Sequence, residues 1–408
     1  MPRILIVTSG PLCRNPRVLK EATTLGQAGH EVTVATIANI KRFEDFDREL
    51  LAGAPFKVRS LDRVSSSPLA MFAALSERAE SWRARRAIPA GRESPTALGP
   101  FRALRSLAMG IPADLTIVHT ELPFCIGCDL IRNGRRVAAD FEDWHSHDLL
   151  PSAQSGRPLR LIGASERELM QRSVYTSAPS AAMAAALHGA YGGKMPVVVP
   201  NTFPLQAEEP PVPRNNPPSF FWFSQTIGEG RGIEEFLSGW ALTNSPSRVC
   251  LLGDVSPSYE ARLRGLVPEG RKSSLSFLPI TSPERLPRVI AGHDIGLALE
   301  PRLPESRYLT ATNKIFQYMN AGLAILATET AGQREVLENA PGCGLAIALD
   351  DPVALARTLD ALVADRERMA SMGRASRTGA ESRYCWEKTA PVLLAAVERS
   401  LSLEIPTK

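Results

Sequence analysis

No apolar run in this chain reaches the ~18–20 residues that a bilayer-spanning helix needs, which excludes a spanning segment of that kind. No Gly-x-Gly-x-x-Gly follows the first predicted strand, which speaks against a nicotinamide-dependent oxidoreductase. A charged n-region, an apolar h-region and a cleavage site are also missing, because residues 1–10 (MPRILIVTSG) open directly as a strand. The expectation is a cytoplasmic protein, with peripheral attachment at the inner face of a membrane left open. Net charge is scarce as well: +4 over 408 residues does not suit a protein whose main task is to neutralise nucleic-acid phosphates. Cysteine is sparse, with six residues scattered through mostly apolar runs, and reads as reduced core thiols. Cys125-Ile-Gly-Cys128 has a spacing that binds zinc or exchanges thiols, but a metal site needs a second ligand pair and none stands at suitable spacing.

What is present is enough apolar material for two cores. Hydrophobic residues make up 44% and charged residues 22%, and the length suggests two domains of roughly 150–200 residues. Residues 3–10 form an apolar run ending in Ser-Gly, as expected of a parallel strand buried on both faces. Asn15-Pro16 reads as an N-cap followed by proline at the first helical position. The helix that follows carries Val18, Ala22 and Leu25 on one face and stops at Gly29. With the strand at 31–38 this makes a right-handed βαβ unit. Strands at 113–119, 136–143 and 174–178, with intervening helices near 124–134 and 165–173, extend the pattern to residue 204. Residues 205–218 are proline-rich and aperiodic, as an interdomain linker should be. A second α/β series runs from residue 219, and amphipathic helices at 352–365 and 387–401 close the chain. The predicted domains are 1–204, 219–385, and a terminal helix over 386–408 that packs back on the first domain. The fold class is α/β, with two Rossmann-like domains facing each other across an interdomain cleft.

Between residues 57 and 108 the regularity fades and arginine outnumbers the acids. Two readings stand: a solvated, arginine-rich helix and loop, or a basic arm that meets an anionic acceptor or acidic lipid.

Ligands in open α/β sheets bind beyond the carboxyl ends of the strands, so chemistry is sought there. Residues 226–232 (TIGEGRG) join a strand to a helix whose amino end suits an anion, with Arg231 adding charge. Thr312, Asn313 and Lys314 stand at another helix start, Glu300 closes a strand, and Gly322 ends the helix in the left-handed conformation. His119 ends a strand, followed by Glu121; Asp140, Glu142 and Asp143 crowd the next strand end and are expected to be a functional cluster or paired with arginine. His145 and His147 come directly after.

Together, residues 14–34, 199–204, 228–236, 312–328, 332–336, 372–377 and 384–388 resemble, in their order and spacing, a family-4 glycosyltransferase of the GT-B fold, the retaining, metal-independent type. The resemblance implies a nucleoside-diphosphate sugar held mainly by the carboxyl-terminal domain and a hydroxyl acceptor, anionic or lipid-linked, held by the amino-terminal one, with no cofactor or metal required. On the donor side it implies Gly10, Gln225, Arg231, Glu300, Thr312, Asn313, Lys314 and Gln317. Arg231 matches the second of two basic residues that grip the diphosphate, and the first falls on Gln225. The family's paired glutamates fall on Leu309 and Gln317. The histidine near the reacting sugar carbon falls on His119, or by a shifted alignment on Thr120 or Glu121; catalytic roles are expected for His119, Glu121 and Arg231. Arg14, Asp140, Glu142, Asp143 and His145 are the acceptor-side candidates. The uncharged Gln225, Leu309 and Gln317 keep a non-catalytic partner protein in view, and a nucleotide-sugar epimerase would share the fold.

Overall fold

A computed structural model describes residues 1–206 and 215–403. Of the linker expected over 205–218, residues 207–214 lie outside the described residues. The chain divides into two compact units: Met1–Val199 together with the chain from Ala390 onward, and Pro200–Thr389.

Unit 1 is built on β1 (Arg3–Val7), β2 (Glu31–Ala38), β3 (Lys57–Asp62), β4 (Leu115–His119), β5 (Val137–Asp140), β6 (Thr176–Ala178) and β7 (Val197–Val198). They lie in the order β3-β2-β1-β4-β5-β6-β7, every neighbouring pair parallel. Chain direction along the sheet reverses at β1 and β4, so the ends of these two strands flank a topological switch point. The first helix, Pro16–Gln27, is capped as its sequence suggests: Asn15 Oδ1 accepts the Val18 amide at 3.1 Å and Pro16 is the first helical residue. Val18, Ala22 and Leu25 are buried on it as expected, and so are Arg17 and Glu21.

Residues 57–108 contain more regular structure than their sequence suggests. β3 pairs with β2 as an edge strand, mostly exposed, which removes the apolar signature of a buried strand. A 20-residue helix, Pro68–Ala87, and a shorter one, Phe101–Gly110, follow.

Unit 2 holds β8 (Ser219–Thr226), β9 (Arg248–Asp254), β10 (Leu275–Leu278), β11 (Ile295–Ala298), β12 (Ala324–Thr328) and β13 (Gly344–Ile347), in the parallel order β10-β9-β8-β11-β12-β13. Here the switch point falls between β8 and β11. Alternate residues of β8 enter the two layers flanking the sheet: Phe220 and Trp222 on one side with Phe236 and Trp240, Phe221 and Phe223 on the other with Phe316 and Tyr318. That double burial explains the unbroken aromatic run. Gly322, at φ 65°, ends the helix Asn313–Asn320. Among the described residues no helix is long and apolar enough to cross a membrane.

Candidate functional site

The carboxyl ends of β1 and β4 bring together a buried polar group in unit 1. Ser9 Oγ and Thr120 Oγ1 lie 2.9 Å apart across the switch point. Thr120 has φ 67° and ψ 163°, a region that is essentially reserved for glycine, and it is the one non-glycine residue with positive φ among those described. Directly before it, His119 is 1% exposed, and its Nε2 lies 2.6 Å from Glu21 Oε2. Next to this pair, Arg17 Nε donates to both oxygens of Asp140 at 2.9 Å, and its other nitrogens reach the Val199 carbonyl at 2.7 Å and Asp140 Oδ2 at 2.8 Å. Ser177 Oγ adds a hydrogen bond to Asp140 at 3.1 Å.

These contacts set the protonation states. Burial opposes charge on His119, but the Glu21 carboxylate outweighs it through space and through their hydrogen bond, so the imidazole titrates above its ordinary value. Burial likewise opposes the Asp140 anion, yet Arg17 and then His119 hold its carboxyl below the usual range. Glu142 goes the other way: burial, helped by Asp143 and Asp140, outweighs Arg17 and raises it. Lys20 is pushed down to about 7 by burial and by Arg17. Glu21, His119 and Asp140 also bring one ligand-type atom each within 4.8 Å of one another; a metal ion there would compete with Arg17 for Asp140.

The acidic cluster is thus partly an arginine pairing, one of the two expectations held for it. β5 ends at Asp140, leaving Glu142 and Asp143 half-buried in the loop beyond. Glu121 forms an ion pair with Arg157 at the first turn of the helix Glu121–Arg132. His145 presents its ring edge-on to Phe124, with centroids 5.2 Å apart, and its buried Nε2 has no hydrogen-bond partner among the described residues. The Gly10 carbonyl accepts from Thr36 Oγ1 at 2.6 Å. Arg14 is exposed, with its guanidinium 5.5 Å above the Phe43 ring. Cys125 and Cys128 sit buried in one helix, and burial pushes the Cys125 thiol up to about 11 and Cys128 higher still, which keeps both as protonated core thiols at neutral pH.

Arg17, Lys20 and Glu21 were not singled out from the sequence. Arg17 and Glu21 stand four residues apart beside the apolar face of an amphipathic helix, and that interruption of an apolar stripe by a charged pair was the available signal.

In unit 2, β8 closes with the exposed Gln225 and Thr226 and leads through residues 227–232, where Arg231 is half-buried, into the helix Ile233–Trp240. A cavity of about 470 Å³ beside this loop is lined by Thr226, Gly228, Glu229, Ser256, Tyr259 and Arg262, the last three unforeseen from the sequence. At the ends of β11 and β12 lies a connected polar group. Thr328 Oγ1 accepts from the Glu300 amide and from Gln333 Nε2, each at 2.8 Å. The Glu300 carboxylate is buried, with Lys314 Nζ 2.6 Å from one oxygen and an Arg307 nitrogen 3.6 Å from the other. Lys314, expected on the donor side, is neutralised by Glu300, and its ammonium sits 5.5 Å over the Trp222 ring. Thr312 is the N-cap residue of the helix Asn313–Asn320, yet its hydroxyl caps nothing. Among the described residues Thr312 Oγ1, Thr330 Oγ1 and Gln333 Oε1 are buried without a hydrogen-bond partner. Asn313 and Gln317 are half-buried on the same helix, and Leu309 is buried at the end of the preceding one.

Residues 243–395 match a family model described as glycosyl transferase-like. A 131-residue stretch is 24% identical to spore coat protein SA of Bacillus subtilis (strain 168), a match that spans 32% of this chain and 33% of that protein. Anabaena HepE, solved in complex with UDP-glucose, superposes with a TM-score of 0.68 at 14% identity over 98% of this chain and 100% of its own. A glycosyltransferase from Rickettsia africae gives 0.65 at 12% identity over 99% of both chains. The UDP-GlcNAc 2-epimerase of Neisseria meningitidis, bound to UDP-GlcNAc, gives 0.60 at 12% over 97% of this chain and 100% of its own. The chain thus has the GT-B fold of its structural neighbours, two Rossmann-like parallel-sheet domains, and is similar to the glycosyl transferase-like family over residues 243–395.

Proposed function

We propose that this chain is a glycosyltransferase that moves a sugar from a nucleoside-diphosphate donor to an acceptor hydroxyl, with retention at the anomeric carbon and without a metal. The observation that carries the reading is the group around Glu300. Buried polar atoms are almost always paired, and Thr312, Thr330 and Gln333 each keep an unpaired oxygen within two residues, or within the hydrogen-bonding reach, of the Glu300–Thr328–Lys314 network. Such a set suits a ligand rich in hydroxyls and phosphate oxygens. The UDP-glucose held by Anabaena HepE and the UDP-GlcNAc held by the Neisseria epimerase are ligands of this class.

In the proposed reaction the bond between the anomeric carbon and the diphosphate oxygen breaks and its electron pair leaves with the diphosphate. The acceptor oxygen bonds to the same face of the carbon, and its proton passes to the departing phosphate. Arg231 and the amino ends of the helices Ile233–Trp240 and Asn313–Asn320 stabilise the charge that develops. Lys314 contributes less than a free lysine would, since Glu300 offsets it; Arg307 leaves the trio one positive charge in excess. Gln317 accepts one ribose hydroxyl bond where a charged acceptor would make a contact about twice as strong. His119, held by Glu21 and with Nδ1 unpartnered among the described residues, orients the sugar or the acceptor hydroxyl, and the strained Thr120 stands beside it.

A thermal-shift screen of UDP, GDP, TDP, ADP and CMP sugars, followed by product analysis with and without added acceptor alcohols, tests this. Selective stabilisation by one nucleotide with transfer to an alcohol is expected. No stabilisation by any donor would leave a non-catalytic partner protein, and conversion of the donor with deuterium uptake in heavy water would make it an epimerase.

A further inference from the structure

The helix Pro68–Ala87 is built inside out. Its inner side carries small residues, with Ala70 buried and Ala73, Ala74 and Ala84 half-buried. It is tied to the following segment by Ser81 Oγ to the Thr96 carbonyl at 2.7 Å and Arg85 Nε to the Ala97 carbonyl at 2.9 Å. The large apolar side chains point the other way: Leu69 is 84% exposed, Met71 54%, Phe72 74%, Leu75 61% and Trp82 55%. Single exposed apolar residues are ordinary, but five on one helix make a patch of the kind that marks an interaction surface. Phe72, Leu75, Ala79 and Trp82 follow the three- and four-residue spacing of one stripe.

Charge decides what covers it. Arg83 and Arg86 continue the outer face, Arg78 flanks it, and the Arg86 guanidinium lies 4.1 Å above the Trp82 ring. Both acids of the helix are engaged, Glu77 by Arg63 at 2.6 Å and Glu80 by Arg102 at 3.2 Å. A second copy of this face would need acids opposite its arginines, and the two it has are already taken. We propose that this helix docks on an anionic lipid bilayer, lying in the plane of the surface with Leu69, Phe72, Leu75 and Trp82 at the acyl boundary and the arginines at the headgroup phosphates. The proposal is independent of the reaction proposed above, because it rests on this helix alone.

Co-sedimentation of the full chain with phosphatidylcholine vesicles, with and without phosphatidylglycerol, tests it. Binding to the anionic vesicles is expected to be about tenfold or more tighter than to neutral ones and to weaken in high salt. The double variant Phe72→Ser with Leu75→Ser, altered only at exposed positions, should melt as the parent chain does and lose most of that binding. Absence of binding at low salt, or binding unchanged by the double variant, would overturn the proposal. So would self-association of the parent chain in lipid-free buffer that the same substitutions abolish, since the face would then be covered by a second copy.

Discussion

Arg17 donates from Nε to both carboxylate oxygens of Asp140 at 2.9 Å, each side chain all but fully buried. The first helix of unit 1 is thereby locked to the end of β5. Replacing one partner leaves the other as an uncompensated buried charge, so Arg17→Met should lower stability by about 3–5 kcal/mol in urea titrations. The double variant Arg17→Met with Asp140→Asn should recover part of the loss. Equal losses in both would mean that the pair's charges are not what holds this contact.

His119 and Asp140 make stability depend on pH in opposite limbs. Asp140 titrates below its ordinary value in the folded chain, so its contribution is present above the unfolded pKa near ~3.9 and is lost as pH falls through the folded value. His119 titrates above its ordinary value, so its contribution is whole below the unfolded pKa near ~6.5 and is lost as pH rises through the folded value. The His119 contribution should therefore decline on the alkaline side of ~6.5. Lys20 follows the opposite trend, since its lowered pKa adds stability as pH rises above about 7. The limb is therefore read as the difference between the parent chain and a Glu21 variant. Glu21→Gln removes the anion that raises His119 and should flatten that limb; an undiminished slope would assign it to other groups.

Thr120 separates strain from chemistry. Its backbone conformation costs on the order of 1–3 kcal/mol for a side chain and nothing comparable for glycine. Thr120→Gly and Thr120→Ala both delete the hydroxyl that meets Ser9, but only the first relieves the backbone. The glycine variant should be about 1 kcal/mol more stable than the alanine variant even after glycine's entropic cost. Both should lose activity alike if the hydroxyl serves catalysis.

The loop before the helix Asn313–Asn320 is set by a glycine on the neighbouring helix. A Cβ at Gly332 would fall 2.3 Å from the Thr310 carbonyl carbon and 2.5 Å from Ala311 N and Leu309 O, all backbone atoms that cannot swing aside. Gly332→Ala should cost about 1–3 kcal/mol and shift the segment that carries Thr312, so nucleotide-induced stabilisation should shrink with it. Unaltered melting would mean the loop yields without strain.

For the proposed reaction, Arg231→Ala should lower kcat by about 10²–10³-fold, a barrier increase of ~3–4 kcal/mol for one preorganised charge contact. Full turnover at saturating donor would remove Arg231 from the diphosphate. Calorimetry on Gln317→Glu should show tighter donor binding by restoring charge assistance, and unchanged affinity would take Gln317 out of the ribose contact.

Much of this protein is legible along the chain because the relevant physics is local. The apolar runs that became β1, β4 and β8 are buried on both faces, Asn15 and Pro16 start a helix through contacts within three residues, and Gly322 ends one by its own backbone freedom. From those pieces the α/β class, the two series of elements and the strand ends that carry His119, Asp140 and Glu300 could be read. The candidate site was legible as a set of strand ends, less so as a set of partners. Arg17 and Glu21 are far in sequence from their partners Asp140 and His119, and the pairings depend on β4 lying next to β1 in the sheet and β5 next but one. Lys314 and Glu300 look like two separate ligand-binding groups until packing sets them 2.6 Å apart.

By itself, then, the sequence determined where most strands and helices fall outside residues 57–108, because hydrophobic periodicity and capping act over a few residues. Only the tertiary structure decided which charges neutralise one another, that Thr120 carries strain, and that Phe72, Leu75 and Trp82 face outward. Partner distance, backbone strain and exposure are properties of elements brought together across the chain, and a one-dimensional pattern does not contain them.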